Sequence, residues 1–179
     1  SYLKDKKKFN NLFDKIYKEI DIKKNTYHVL SEKFKFDFQI KDLKKFKQFK
    51  TVAIFGIGGS ILGSESIYRS LKHKIKKKFL FFDNLDQSKL ENFKKKNNYK
   101  KTLFIFISKS GNTIETLTNI KLILNSKVNS KNTIIITEKK NNSLNKIAEK
   151  LNLFCVNHKD YIGGRYSVLS EVGMLPAYL

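Results

Sequence analysis

Cysteine occurs once in this 179-residue sequence, at Cys155. No internal disulfide can form, which suits a reducing compartment, so a cytoplasmic location is expected. Proline also occurs once, at Pro176, so no proline-rich linker divides the chain. Uncharged apolar runs of about 18 residues are missing, and no membrane span is expected. The opening SYLKDKKKFN lacks the apolar stretch of a signal peptide. Arginine is scarce: of 37 basic residues, 2 are arginines (Arg69 and Arg165) and 35 are lysines. The net charge of +21 invites a nucleic-acid reading. Base-edge and phosphate recognition favours the forked guanidinium, however. The lysines are scattered, with short runs at Lys6–Lys8, Lys76–Lys78 and Lys94–Lys96. Solvated lysine faces are expected, and nucleic acid is not expected as a partner.

What is present is a core. Hydrophobic residues make up 40% of the sequence, with 15 Phe and 8 Tyr, enough apolar surface to offset chain entropy in one globular domain. Phe9, Leu12, Phe13, Ile16, Tyr17 and Ile20 recur at helical spacing and predict an amphipathic N-terminal helix. The stretch from Asn25 to Lys50 shows no clear period. Five short apolar runs then follow: Thr51–Phe55, Phe79–Phe82, Leu103–Ile107, Thr133–Thr137 and Leu153–Val156. Most are nearly continuous rather than alternating, as strands buried on both faces are. Helical spacing lies between them, as at Ile114, Leu117, Ile120 and Leu124. The pattern predicts an α/β fold: a doubly wound, five-stranded parallel sheet with helices on both faces and right-handed crossovers. The division expected is a helical extension over 1–50, the sheet domain over 51–162, and a following segment over 163–179.

In such sheets ligands bind beyond the carboxyl ends of the strands, where strand order reverses. Three loops fit that place. Gly56-Ile57-Gly58-Gly59-Ser60 follows the first strand, and its glycines allow close backbone approach ahead of a helix N-terminus. A dinucleotide fingerprint would need a third glycine at position 61, which is Ile61, although Asp83 could imitate the ribose-binding acid. A plain strand-to-helix turn is the bland alternative. Ser108-Lys109-Ser110-Gly111-Asn112-Thr113 follows the third strand and combines hydroxyls, a glycine and a helix start, the composition of a phosphate cradle. Helix capping by Asn112 or Thr113, with Glu115 in the first turn, explains only part of it. With strand order 2-1-3-4-5 these two loops would face each other. Gly163-Gly164-Arg165-Tyr166-Ser167 follows the fifth strand and reads either as a positioned guanidinium or as a turn with an exposed arginine. His28, His73 and His158 have no metal-ligand spacing and are expected at the surface; Cys155 is expected to be a buried, inert thiol.

AIFGIGGSILGSE, FISKSGNTIETLTN and YIGGRYSVLSEVGM resemble, in order and spacing, three blocks of the phosphoglucose isomerase family, and FFDNLD resembles its second-strand ending. The first two blocks belong to that family's sugar isomerase (SIS) domain. The resemblance runs from about Thr51 to the C-terminus. It implies interconversion of glucose 6-phosphate and fructose 6-phosphate through an enediol, without metal or organic cofactor, in a homodimer at full length. It implies a phosphate loop at Ser108, Lys109, Ser110, Gly111, Asn112 and Thr113, a sugar-facing wall at Gly59 and Ser60, and Arg165 stabilising the enediolate. The family's loop more often carries threonine where this chain has Ser110 and Asn112. Its catalytic glutamate, ring-opening histidine and C-terminal lysine lie well beyond the GGRYS block, and only 12 residues follow Ser167. Glu115, Glu171 and His158 are not assigned those roles. An N-terminal portion that binds sugar phosphate but lacks the base is therefore expected. A stand-alone SIS module that senses a phosphosugar is the alternative.

Overall fold

The computed structural model describes residues 2–96, 99–124 and 128–179. Helix α1 (Tyr2–Glu19) is followed by two 3-10 segments, Thr26–Leu30 and Ile40–Phe46, in the stretch where no period was readable. Then come β1 (Thr51–Phe55), α2 (Gly59–Leu71), β2 (Lys78–Phe82), α3 (Gln87–Lys96), β3 (Thr102–Ile107), α4 (Ile114–Leu124), β4 (Thr133–Thr137), α5 (Ser143–Lys150), β5 (Phe154–Asn157) and α6 (Glu171–Tyr178). All pairings are parallel, as the apolar rhythm predicts, and the strand order is β2-β1-β3-β4-β5, the order expected of a sheet of the sugar isomerase type. The register sets Phe55 beside both Phe82 and Phe106. Their rings stack with centroids at 4.4 and 4.8 Å, contacts worth about 0.5–1.5 kcal/mol each beyond burial.

Successive strand residues point to opposite faces, so the buried strands feed two cores. One contains Ala53, Phe55, Phe104, Phe106 and Ile135 under Leu90, Phe93, Ile120, Ile123, Leu144 and Ala148 from α3, α4 and α5. The other contains Val52, Ile54, Ile105, Ile107, Ile134 and Val156. That face is covered by Phe38, Leu43, Phe46 and Phe49 from the N-terminal segment and by Val172 and Leu175 from α6. Segments on both flanks of residues 51–162 thus share the core of the sheet. The periodic stripe of α1 does form a helix, but Phe9, Leu12, Phe13 and Tyr17 lie exposed on it. Among the described residues, no helix is long and apolar enough to cross a membrane.

Candidate functional site

β1 and β3 are the first strands laid side by side whose crossovers depart in opposite directions, so their terminal loops open onto one crevice. A Cβ placed on Gly56 would stand 3.1 Å from Ile107 O, the last carbonyl of β3, which shows how closely the loops approach. Gly58, with φ +55 and ψ −122, turns the chain into α2 in a region essentially reserved for glycine. Gly59 opens α2 and packs on the third loop: a Cβ there would lie 2.1 Å from Gly164 O. Ser167 Oγ donates to Gly59 O at 3.2 Å and lies 2.6 Å from Gly164 O, pinning the two backbones together. Ser60 sits half-buried in the first turn of α2.

The serine-rich loop is ordered from within. Ser108, buried at the end of β3, has its Oγ 2.7 Å from Thr113 Oγ1 and accepts from Gly111 N at 3.1 Å. Ser110 is exposed, and its Oγ accepts from Asn112 N at 3.2 Å. Gly111 adopts φ +70, a left-handed conformation, with no room for a side chain because Asn142 fills the space. Asn112 Oδ1 accepts from Ser143 N and Gly111 O from Leu144 N, so the loop is tethered to the start of α5. Buried Asn142 completes the support: its Oδ1 accepts from Asn145 N, and its Nδ2 donates to Glu138 O. Lys109 Nζ donates to Asp160 O at 2.8 Å and pairs with Glu138 at 3.5 Å. Its charge is thereby engaged between the β4 and β5 ends. Arg165 is exposed on the 3-10 segment Gly164–Leu169 and makes no ion pair among the described residues. The other arginine, Arg69, is held by Glu65 along α2.

The structure therefore brings Gly59, Ser60, Ser108–Thr113 and Arg165 to one end of one sheet. It adds two residues that sequence reasoning missed, Asn142 and Ser143, which support the serine-rich loop from α5. Asn142 did carry a signal, since an asparagine ahead of Ser143-Leu144 is a helix cap; that it underlies another loop was invisible. Two expectations are corrected. His28 and His158 are buried rather than at the surface, because packing that their sequence neighbours do not reveal encloses them: the Phe34 ring meets His28 edge-on at 5.8 Å, and His158 N donates to Thr137 O at the end of β4. Burial pushes the His158 imidazole below its ordinary value. Cys155 is exposed, because β5 is an edge strand with no neighbour beyond it. Its sulfur is nonetheless partly desolvated against Asn145, and burial, with Asp37 and Glu149 adding, pushes the thiol up to about 11. Among the described residues no cluster could hold a metal ion. A cavity of about 710 Å³ beside α5 is lined by Asp37, Lys139, Asn145 and Cys155; none of the three loops' residues lines it, and Asn142, which supports the serine-rich loop, stands in its wall.

A five-stranded doubly wound sheet with a serine-rich loop after β3 and a glycine loop after β1 defines an α/β domain of the sugar isomerase type. The solved sugar isomerase domain of an RpiR transcription factor from Sphaerobacter thermophilus shares this fold, with a TM-score of 0.57 at 13% identity over 93% of this chain and 86% of that one. A glucose-6-phosphate isomerase structure from Chlamydia trachomatis matches with a TM-score of 0.66 at 24% identity, covering 75% of this chain and 27% of that one. In sequence, the glucose-6-phosphate isomerase of Borreliella burgdorferi (strain ZS7) is 41% identical over 140 residues, 72% of this chain and 26% of that protein. The model of the phosphoglucose isomerase family matches residues 18–179. The chain belongs to the phosphoglucose isomerase family. It spans about a quarter of the length of the Borreliella relative.

Proposed function

We propose that this chain forms the sugar-phosphate half of an aldose–ketose isomerase site that interconverts glucose 6-phosphate and fructose 6-phosphate through an enediol. The observation that carries the reading is the convergence of three polar loops, from β1, β3 and β5, at one end of the sheet, with a free guanidinium among them. The phosphate lies on the loop of Ser108–Thr113, where backbone amides and the hydroxyls of Ser108, Ser110 and Thr113 donate, helped by the N-terminus of α4. Lys109 contributes backbone there, since its side chain bonds Asp160 O, while the Asn112 side chain holds the loop to α5 and its N–H supports Ser110 Oγ. Gly59 and Ser60 line the sugar's side. Arg165, always protonated, stabilises the enediolate oxygen but cannot abstract the proton. The base comes from beyond these residues. General acid–base catalysis is worth about 10²–10⁴-fold, so this half by itself binds without turning over.

Calorimetric titration of the 179-residue chain tests the reading. Glucose 6-phosphate binds more tightly than glucose, in the range of about 1 mM that an incomplete site supports. Ser108→Ala weakens both glucose 6-phosphate and inorganic phosphate. In a full-length relative carrying these loops, the change at Ser108 chiefly raises KM, and Arg165→Ala chiefly lowers kcat. Equal or absent heats for both sugars with a folded sample, or robust isomerisation by the 179-residue chain, would sink it.

A further inference from the structure

The loop that carries Arg165 is closed at its base by charges. Lys159 Nζ bonds Glu171 Oε1 at 2.7 Å, joining the residues on either side of Gly163–Leu169. Glu171 has no exposed surface, and the Lys159 side chain is only 16% exposed. Glu171 Oε1 also accepts from Asp37 N, while its Oε2 has no partner among the described residues. Near it lies His158, whose Nδ1 contacts Lys159 O and whose Nε2 is likewise without a partner among the described residues. Taking a carboxylate and an ammonium out of water costs more than one such bond returns, and well-packed apolar residues of similar volume serve stability as well or better. Stability alone therefore does not account for an ion pair here. Geometry does: the pair fixes where the loop leaves and re-enters the body of the protein. Lys109 Nζ on Asp160 O ties the same segment to the serine-rich loop, and Ser167 ties its middle to Gly59.

We propose that Lys159 and Glu171 are positioning residues, a buried clasp that sets the place of the Arg165 guanidinium relative to the Ser108–Thr113 loop. The assignment of a role to Arg165 rests on the function proposed above; the clasp itself is a statement about the loop.

The double variant Lys159→Met/Glu171→Met separates the two roles, because it removes the charges while keeping apolar volume. Its thermal midpoint stays close to that of the parent chain, whereas Glu171→Ala alone, which strands the Lys159 ammonium, lowers it. In the double variant, amide exchange at Gly163–Ser167 accelerates at least tenfold, with the amides of β1, β3 and β4 unchanged. Two ligands are then titrated. Inorganic phosphate reports on the serine-rich loop, and arabinonate 5-phosphate, whose carboxylate mimics enediolate charge, reports on Arg165 as well. The double variant keeps its phosphate affinity and loses about tenfold toward the sugar acid. Unchanged exchange at Gly163–Ser167 overturns the clasp, as does equal loss of affinity for both ligands. If the unaltered chain binds neither ligand, the sugar-phosphate reading fails, and the exchange measurement still decides the clasp.

Discussion

Gly59→Ala sets two opposed effects against each other. Gly59 is the first residue of α2, and alanine in place of a helical glycine ordinarily stabilises by about 0.5–1 kcal/mol. The new Cβ, however, would stand 2.1 Å from Gly164 O, 2.4 Å from Gly164 C and 2.8 Å from Arg165 N. These are backbone atoms, held by Ser167, and cannot swing aside like the end of a flexible side chain. Relief requires the third loop to retreat by about 1 Å, an overpacking change that costs about 1–3 kcal/mol. The clash exceeds the helical gain, leaving a net loss of about 1–2 kcal/mol. At about 2–4 °C per kcal/mol for a chain of this size, the melting midpoint followed by circular dichroism falls by about 2–8 °C. The same displacement carries Arg165 away from the bound sugar, and a misplacement of about 1 Å can cost about 10²-fold in rate in the complete enzyme. Gly58→Ala is the control: its Cβ meets nothing within 4 Å, so its penalty comes from φ +55 alone and leaves the Arg165 loop in place. A Gly59→Ala protein that melts higher than its parent would refute the contact between the two loops.

Gly111→Ala combines a left-handed backbone with expulsion of the Asn142 cap, and costs about 2–4 kcal/mol in chemical denaturation. His158 is held below its ordinary value of 6.5 by burial, so the folded state binds fewer protons than the unfolded chain between that pH and its lowered value. Stability therefore falls as pH drops below about 6.5, by up to about 1.4 kcal/mol per unit, and His158→Gln flattens that part of the melting profile. Exposed Cys155, with its thiol pushed up to about 11, is alkylated by iodoacetamide at pH 7 about 10²-fold more slowly than a free thiol of ordinary pKa, which mass spectrometry follows. Because the +21 net charge is spread as lysine, duplex DNA binds weakly and without sequence preference, and the complex dissolves steeply as salt approaches physiological strength in an anisotropy titration.

The strand sequence was legible because both faces of the sheet are buried, so runs such as LFIFI and TIIIT carry no polar punctuation. The parallel pairing followed from general rules for such sheets, and the strand order from the resemblance to the sugar isomerase domain. Residues 26–46 were illegible because their segments are held by distant partners rather than by a local period: Thr26 Oγ1 bonds Tyr161 O, and Phe38 and Phe46 enter a core made mostly elsewhere. His28, His158 and Cys155 were misplaced for a related reason, whereas His73 is exposed as expected. Local apolarity predicts strand but not whether the strand lies at an edge, and polar neighbours in sequence do not reveal the packing that encloses a histidine. At the candidate site, loop composition singled out polar loops that the fold sets at one end of the sheet, but not the contacts that each side chain makes. Lys109 and Asn112 look like ligand contacts in sequence, and the structure gives their side chains bonds to Asp160 O and Ser143 N, partners 51 and 31 positions away.

The two faces of the sheet are completed by chain of very different age. Every residue of the core formed with α3, α4 and α5 has been synthesised once Leu153 leaves the ribosome. The opposite core needs Phe38 at one extreme and Leu175 at the other, so it stays open until nearly the whole of the 179 residues has been made. During that interval Ile54, Ile105 and Ile136 face water on a half-built domain, the kind of exposure that chaperones recognise and that aggregation exploits. Maturation on the ribosome is thus asymmetric: one side of the sheet can settle early, and the side that carries the Arg165 segment closes last.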